Sequence, residues 1–231
     1  MLKIGGLQKL TLLDYPGKIA ANIFLAGCNF RCGFCHNPDL VIIKPEANFI
    51  AASEVLKFLH KRQGVLEGVC IGGGEPLLQR GLKGFLRQIK DLGYLVKLDT
   101  NGFNYDFFKD LLDNKLVDYI AMDIKSSISQ YEKVTGLKSD FKTIRQSIEL
   151  IKNSGLPHEF RTTVMPKYHD AKEMEMIGQM IAGADNYYLQ NFRNHKTLDS
   201  SLANEPSFSD AELNKLKDIA LKYVKNCQIR N

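Results

Sequence analysis

The sequence predicts an α/β protein, an open partial (β/α)6 barrel with a doubly wound flat sheet as the second choice, and three observations carry that expectation. Short apolar runs alternate with longer segments of helical period, the pattern of βα units around a parallel sheet. Six such units occur along the chain, too few to close an eight-stranded barrel. Polar motifs stand where several of the apolar runs stop, and in barrel enzymes the C-terminal strand ends build the active site.

The expected strands cover residues 19–25, 68–71, 95–99, 119–123, 159–164 and 186–189, short and mostly uncharged until their final residues, as buried parallel strands are. The expected outer helices cover 52–62, 82–92, 105–116, 141–153 and 171–181. Each places apolar residues three and four apart, as Ile144, Ile148 and Ile151 do. A last helix, about 210–225, begins after Ser209 with Glu212 three positions on, the arrangement of a capping box. Residues 194–207 are polar and aperiodic and contain Pro206, so they are expected to form a surface connection.

With 231 residues, 44% of them hydrophobic and 25% charged, the chain can bury one substantial core, and a single domain over residues 1–231 is expected. The net charge of +5 is spread among interspersed signs, without the basic run or aromatic-interleaved patch that nucleic acid would require. No stretch approaches the roughly 20 apolar residues of a membrane helix, and the N-terminus lacks the layout of a signal peptide. A cytoplasmic protein that binds neither nucleic acid nor membrane is expected.

Three of the five cysteines fall within eight residues, in Gly27-Cys28-Asn29-Phe30-Arg31-Cys32-Gly33-Phe34-Cys35-His36-Asn37-Pro38, while Cys70 and Cys227 lie far away. Such crowding in a reducing compartment points to metal or redox chemistry rather than a disulfide framework. A C-x3-C-x2-C triplet can hold three corners of a cubane cluster and leave one iron open to an outside molecule. It can also hold zinc, with Cys70 or His36 as a fourth ligand. Spacing alone leaves both open.

The second expected strand runs into Gly72-Gly73-Gly74-Glu75-Pro76, either a plain turn or a loop whose glycines let backbone approach a ligand closely. It lacks the Gly-Lys-Ser/Thr ending of a phosphate-binding loop. The third ends in Asp99-Thr100-Asn101-Gly102 and the fourth in Met122-Asp123-Ile124-Lys125. No Cys-His or Ser-His-Asp arrangement suggests nucleophilic catalysis.

On these residues the chain resembles the radical S-adenosylmethionine (SAM) superfamily, whose cysteine loop has this spacing with an aromatic residue, here Phe34, before the last cysteine. The resemblance implies a [4Fe–4S] cluster on Cys28, Cys32 and Cys35 with SAM on the open iron, and Gly73, Gly74 and Glu75 at the SAM amino group. Across nearly its whole length the sequence is similar to the glycyl radical enzyme activases. That similarity implies Asp99, Thr100 and Asp123 around a monovalent cation, Lys125 near the SAM carboxylate, and Arg161 beside SAM. A solvated surface position is the plain alternative for Arg161.

Residues 6–17, Cys35-His36-Asn37-Pro38 and Tyr188-Leu189-Gln190-Asn191-Phe192-Arg193 most resemble the activating proteins of anaerobic ribonucleoside-triphosphate reductase. By that likeness reduced flavodoxin or ferredoxin supplies an electron, the S–C5′ bond of SAM breaks, and a glycyl radical forms on the partner enzyme. The runner-up is a radical SAM enzyme acting on a small molecule or modifying a peptide. An electron-transfer cluster protein and a zinc-stabilised binding module are the non-enzymatic rivals. Related activases have a histidine after the sixth strand, where this chain has Gln190-Asn191-Phe192-Arg193-Asn194, with His195 out of register. His60, His158 and His169 are expected at the surface, and Cys70 as a small core residue.

Overall fold

A computed structural model describes residues 2–139, 141–194 and 196–230. In chain order the elements are β1 (Ile4–Thr11), β2 (Ala20–Leu25), α1 (Pro38–Val41), α2 (Ala52–His60), β3 (Gly68–Gly73), α3 (Leu82–Asp91), β4 (Leu95–Thr100), α4 (Tyr105–Asp113), β5 (Tyr119–Asp123), α5 (Tyr131–Thr135), α6 (Lys142–Lys152), β6 (His158–Val164), α7 (Ala171–Met180), β7 (Asn186–Asn191), α8 (Asp210–Ala220) and β8 (Asn226–Arg230). Single 3-10 turns occur at Pro76–Leu78, Ile128–Gln130 and Ser200–Asn204. Within each of two compact units neighbouring strands pair in the order in which they follow in sequence, β1 to β4 in one and β6 to β8 in the other. All six expected strands are present.

Two strands go beyond the expectation. β1 pairs antiparallel with β2, Ile4 opposite Leu25 and Thr11 opposite Ala20, with register shifts between. Its Gly5-Gly6 and Gln8-Lys9 interrupt any apolar run, which hides it from a periodicity argument. β8 pairs parallel with β7, Asn186 opposite Asn226 and Gln190 opposite Arg230, and its polar sequence hides it equally well.

The chain forms two compact units, each assembled from separate stretches: Met1–Asn29, Asp39–Thr100 and Asn104–Ile120 in the first, Phe30–Pro38, Asn101–Phe103 and Ala121–Asn231 in the second. In the first, β2, β3 and β4 run parallel with Asn22, Cys70 and Lys97 side by side in register. Leu82, Phe85, Leu86 and Ile89 share one face of α3 and are all buried. Each such side chain contributes roughly 1.5–3 kcal/mol of transfer free energy. Cys70 is buried with Tyr15 and Ala20.

In the second unit β6, β7 and β8 run parallel, with Phe160, Tyr187 and Cys227 aligned and buried. The cap of α8 is as expected: the Ser209 hydroxyl accepts from the Glu212 N–H at 3.4 Å, and the Glu212 carboxylate accepts from the Ser209 N–H at 2.8 Å. No helix among the described residues is long and apolar enough to cross a membrane.

Two expectations need correction. His158 and His169 are not surface residues: they are 9% and 1% exposed, because each sits where a strand or turn is covered by neighbouring chain and finds backbone partners there. The segment after β7 is a largely exposed connection, as expected, and its 3-10 turn at Ser200–Asn204 buries Leu202. His195 lies outside the described residues.

Candidate functional site

In the first unit the glycine turn is shaped by its own chain. A Cβ on Gly74 would stand 2.2 Å from the Gly27 carbonyl oxygen, and one on Gly73, whose φ is +111°, would stand 2.5 Å from the Leu25 backbone. The amides donate across the same gap, Gly74 N–H to Leu25 O at 2.7 Å and Glu75 N–H to Gly27 O at 2.8 Å. The glycines therefore serve first to bring the end of β3 against the start of the cysteine loop. Glu75, almost fully buried, accepts from the Leu77 N–H at 3.0 Å and from the Thr100 hydroxyl at 2.7 Å.

Glu75 and Thr100, expected in different roles, are thus brought together. Asp99 pairs with the buried Lys97 two residues before it on the same face of β4. Cys28 is half-buried, with its Sγ 3.9 Å from the Asn29 Oδ1.

The rest of the cysteine loop belongs to the second unit and is held on every side. Phe30 packs edge-on against Phe103 and Tyr131, the Arg31 N–H donates to Thr135 O at 2.6 Å, and Phe34 is buried with its ring 6.2 Å from that of Tyr168. His36 stacks on Phe192 and its Nε2 lies 2.9 Å from the Arg193 carbonyl oxygen. The Gly33 carbonyl accepts from the Asp199 N–H at 2.9 Å, and a Cβ on Gly33 would touch Leu202 at 3.1 Å. Cys32 is buried, and its thiol is pushed up to about 11, chiefly by desolvation, with Lys125 pulling it down and Cys35 and Asp123 pushing it up.

The strap that follows β5 is braced by side chains from several elements. The Lys125 N–H donates to the Tyr131 hydroxyl at 3.2 Å. His169 accepts from the Met165 N–H at Nδ1, 3.2 Å, so its Nε2 carries the proton and donates to the Lys125 carbonyl at 3.1 Å. Burial lowers the His169 pKa, which agrees with that neutral tautomer. The Glu173 carboxylate accepts from the Ser126 hydroxyl and from both the N–H and the hydroxyl of Ser127.

The charges lie along this strap. The Lys125 ammonium donates to Asp123 Oδ2 at 3.0 Å and the Arg161 Nε donates to Asp123 Oδ1 at 2.8 Å. Burial alone would raise the Asp123 carboxyl, but Arg161 and Lys125 outweigh it and hold the group well below the usual carboxylate range. Burial alone would lower Lys125, and Asp123 with Cys32 more than offsets that, raising it. Arg161 is therefore no solvated surface residue; it is paired and mostly buried. Sequence reasoning missed Tyr131, His169 and Glu173 because none stands in a local motif.

The donor set fits an iron–sulfur cluster. Cys28, Cys32 and Cys35 take part in no disulfide, and thiolates are the ligands such clusters take. Of the two residues considered as a fourth zinc ligand, Cys70 is packed in β3 among core residues, and His36 bonds the Arg193 carbonyl through Nε2. Among the described residues no group of three or more His, Cys, Asp or Glu side chains stands in a metal-holding arrangement, so the fit rests on donor chemistry.

Residues 22–180 match the radical SAM superfamily. The chain belongs to that superfamily. A relative from Methanocaldococcus jannaschii, named as a glycyl-radical enzyme activating enzyme, is 33% identical over 98% of this chain and 95% of its own length. The pyruvate formate-lyase-activating enzyme of Clostridium pasteurianum is 32% identical over 75% of this chain and 73% of its own. This radical SAM protein is accordingly an enzyme of the glycyl radical activating group. Among solved structures, Streptococcus suis SuiB bound to S-adenosylmethionine superposes with a TM-score of 0.67 at 15% identity, over 88% of this chain and 48% of SuiB. A domain of the pyruvate-formate lyase-activating enzyme of Bacteroides vulgatus gives 0.58 at 15% identity, over 71% of this chain and 99% of that domain. The fold is the radical SAM fold expected from the sequence. The superfamily works with a [4Fe–4S] cluster and SAM.

Proposed function

We propose that this enzyme installs the glycyl radical of an anaerobic ribonucleoside-triphosphate reductase, drawing its electron from reduced flavodoxin or ferredoxin in the cytoplasm. One observation carries the choice of partner. Two segments on which the narrower resemblance rests, Cys35–Pro38 and Tyr188–Arg193, meet through His36, which stacks on Phe192 and bonds the Arg193 carbonyl. Segments that resemble one family at separate places and also pack on one another behave as a single adapted feature.

Cys28, Cys32 and Cys35 would hold the [4Fe–4S] cluster, which with SAM supplies one-electron cleavage of a sulfonium S–C5′ bond. Lys125 and Arg161 offer ammonium and guanidinium donors suited to a carboxylate, the guanidinium as a fork. Glu75 and the turn carbonyls of Gly73 and Gly74 suit an ammonium group, and buried Phe34 shields the loop from water. The family resemblance also assigns Asp99, Thr100 and Asp123 to a monovalent cation, to which carboxylate and hydroxyl oxygens are chemically suited. No residue needs to act as a base; the chain's contribution is orientation and exclusion of water.

The test is to incubate the reduced, cluster-loaded enzyme and SAM with a co-expressed anaerobic ribonucleotide reductase and record the electron paramagnetic resonance spectrum. A glycyl radical on the reductase is expected. A radical that forms on pyruvate formate-lyase and not on the reductase overturns the partner. Release of 5′-deoxyadenosine with no radical on either protein points to a small-molecule or peptide substrate.

A further inference from the structure

Nine large apolar side chains stand exposed among the described residues, and five of them, Leu10, Leu12, Leu13, Ile19 and Val65, belong to the closed end of the β1–β2 hairpin and the chain beside it. Thr11 lies opposite Ala20 and both are buried, so the residues next to them in sequence, Leu10, Leu12 and Ile19, turn the other way. Val65 arrives alongside, two residues before Glu67, whose N–H donates to the Ile19 carbonyl at 2.8 Å and whose carboxylate accepts from the Ile19 N–H at 3.0 Å. Leu13 is 91% exposed, yet the turn that presents it is not slack. The Leu13 and Asp14 N–H groups both donate to the Thr11 hydroxyl oxygen at 3.2 Å, the Lys18 N–H donates to the Tyr15 carbonyl at 3.1 Å, and the buried Tyr15 ring lies 5.8 Å from that of Tyr119. Apolar side chains held out by a fixed turn mark a surface that a partner covers, at small cost in chain entropy.

Charge identifies the partner. Lys9 and Asp14 bracket the leucines, and neither side chain has an ionic or hydrogen-bonding partner among the described residues. The run Lys9-Leu10-Thr11-Leu12-Leu13-Asp14 is its own complement: a two-fold axis through its centre sets Lys9 against Asp14 and Leu10 against Leu13, twice over. Position agrees. Thr11, Ala20 and Gly68 lie side by side where β2 and β3 begin, whereas Cys28 and the Gly72–Pro76 turn stand where those strands end. A contact at the hairpin leaves the strand ends with the candidate ligand groups open to a protein substrate.

We infer that this hairpin end is the interface of a two-fold homodimer, in which the leucines and Asp14 of a second copy cover the leucines and Lys9 of the first. Sedimentation equilibrium of the cluster-loaded full chain tests it, with variants at surface positions. Wild type is expected to dimerise with a dissociation constant of roughly micromolar. L12S/L13S, which removes two leucines from each side, is expected to weaken the dimer on the order of a hundredfold. K9D and D14K each set like charges against one another at two places and should weaken it about tenfold, while K9D/D14K, with opposite charges in exchanged places, should return to within about threefold of wild type. Damage to the fold does not produce that return.

The inference is overturned by a wild-type protein that stays monomeric at about 100 μM, by an L12S/L13S protein that dimerises as wild type does, or by a K9D/D14K protein no tighter than its single parents. A monomeric wild type that sediments with vesicles of anionic phospholipid assigns the patch to a membrane surface instead, and equally overturns it.

Discussion

Two strand-end turns of this enzyme carry candidate ligand groups, and they are held by opposite means. The Gly72–Pro76 turn after β3 is built from backbone: its amides donate to Leu25 and Gly27, and the missing side chains of Gly73 and Gly74 are what let the two segments touch. The 123–127 strap after β5 is built from side chains that arrive from far along the chain, Tyr131, Arg161, His169 and Glu173. A turn held by absent atoms fails sterically and all at once. A strap held by several polar partners fails by increments, and the increment contributed by His169 depends on protonation.

The sharpest test of that contrast is Gly74→Ala. The added methyl would lie 2.2 Å from a backbone oxygen that has no rotamer to escape into, so β3 and the cysteine loop must part. A loss of roughly 3–5 kcal/mol in urea unfolding is expected, with reduced iron uptake on reconstitution. A cost below about 1 kcal/mol would mean that the close approach is not required.

Next in size is His169→Gln, which removes the pair of backbone hydrogen bonds that set the tautomer and is expected to cost about 1–2 kcal/mol at pH 8. The histidine pKa is lowered in the fold by burial, against the smaller opposing pulls of the Lys125 carbonyl, Glu173 and Asp170. The unfolded state therefore takes up a proton first, near its ordinary value of about 6.5. The contribution of His169 is complete above that pH and is lost as pH falls below it. Urea midpoints between pH 8 and 5 should fall more steeply for wild type than for the variant; parallel lines would show the group to be exposed and ionisable in the fold.

The smallest effect is expected far from both turns. Ser209→Ala opens the capping box of α8 and should cost about 1 kcal/mol in thermal unfolding. SAM affinity should not change with it, and a change would mean that α8 is coupled to one of the turns.

The same contrast explains what could be read in advance. The cysteine triplet, the glycine turn and Asp123-Ile124-Lys125 are contiguous motifs at the ends of apolar runs, so chemistry and position were visible together. Six of the strands were visible for the same reason, since burial on both faces writes an unbroken apolar run. β1 and β8 were not, because edge pairing leaves glycines and polar residues in place. His169 looked like a solvated histidine because the groups that bury it, the Met165 amide and the Lys125 carbonyl, belong to a turn and to a strap 44 residues away. Arg161 was placed beside the ligand by family resemblance alone.

Leu202 extends the neighbourhood of the thiols to a part of the chain that carries no ligand. Anchored by the Asp199 amide on the Gly33 carbonyl, it lays an apolar side chain against the residue between two of the cysteines. Access of solvent to the sulfurs, and through it the reduction potential at which they can work, is set in part by the apolar shell around such a centre. With a cluster on those thiols, the 3-10 turn at Ser200–Asn204 would be a place where its redox poise could be tuned without touching a cysteine.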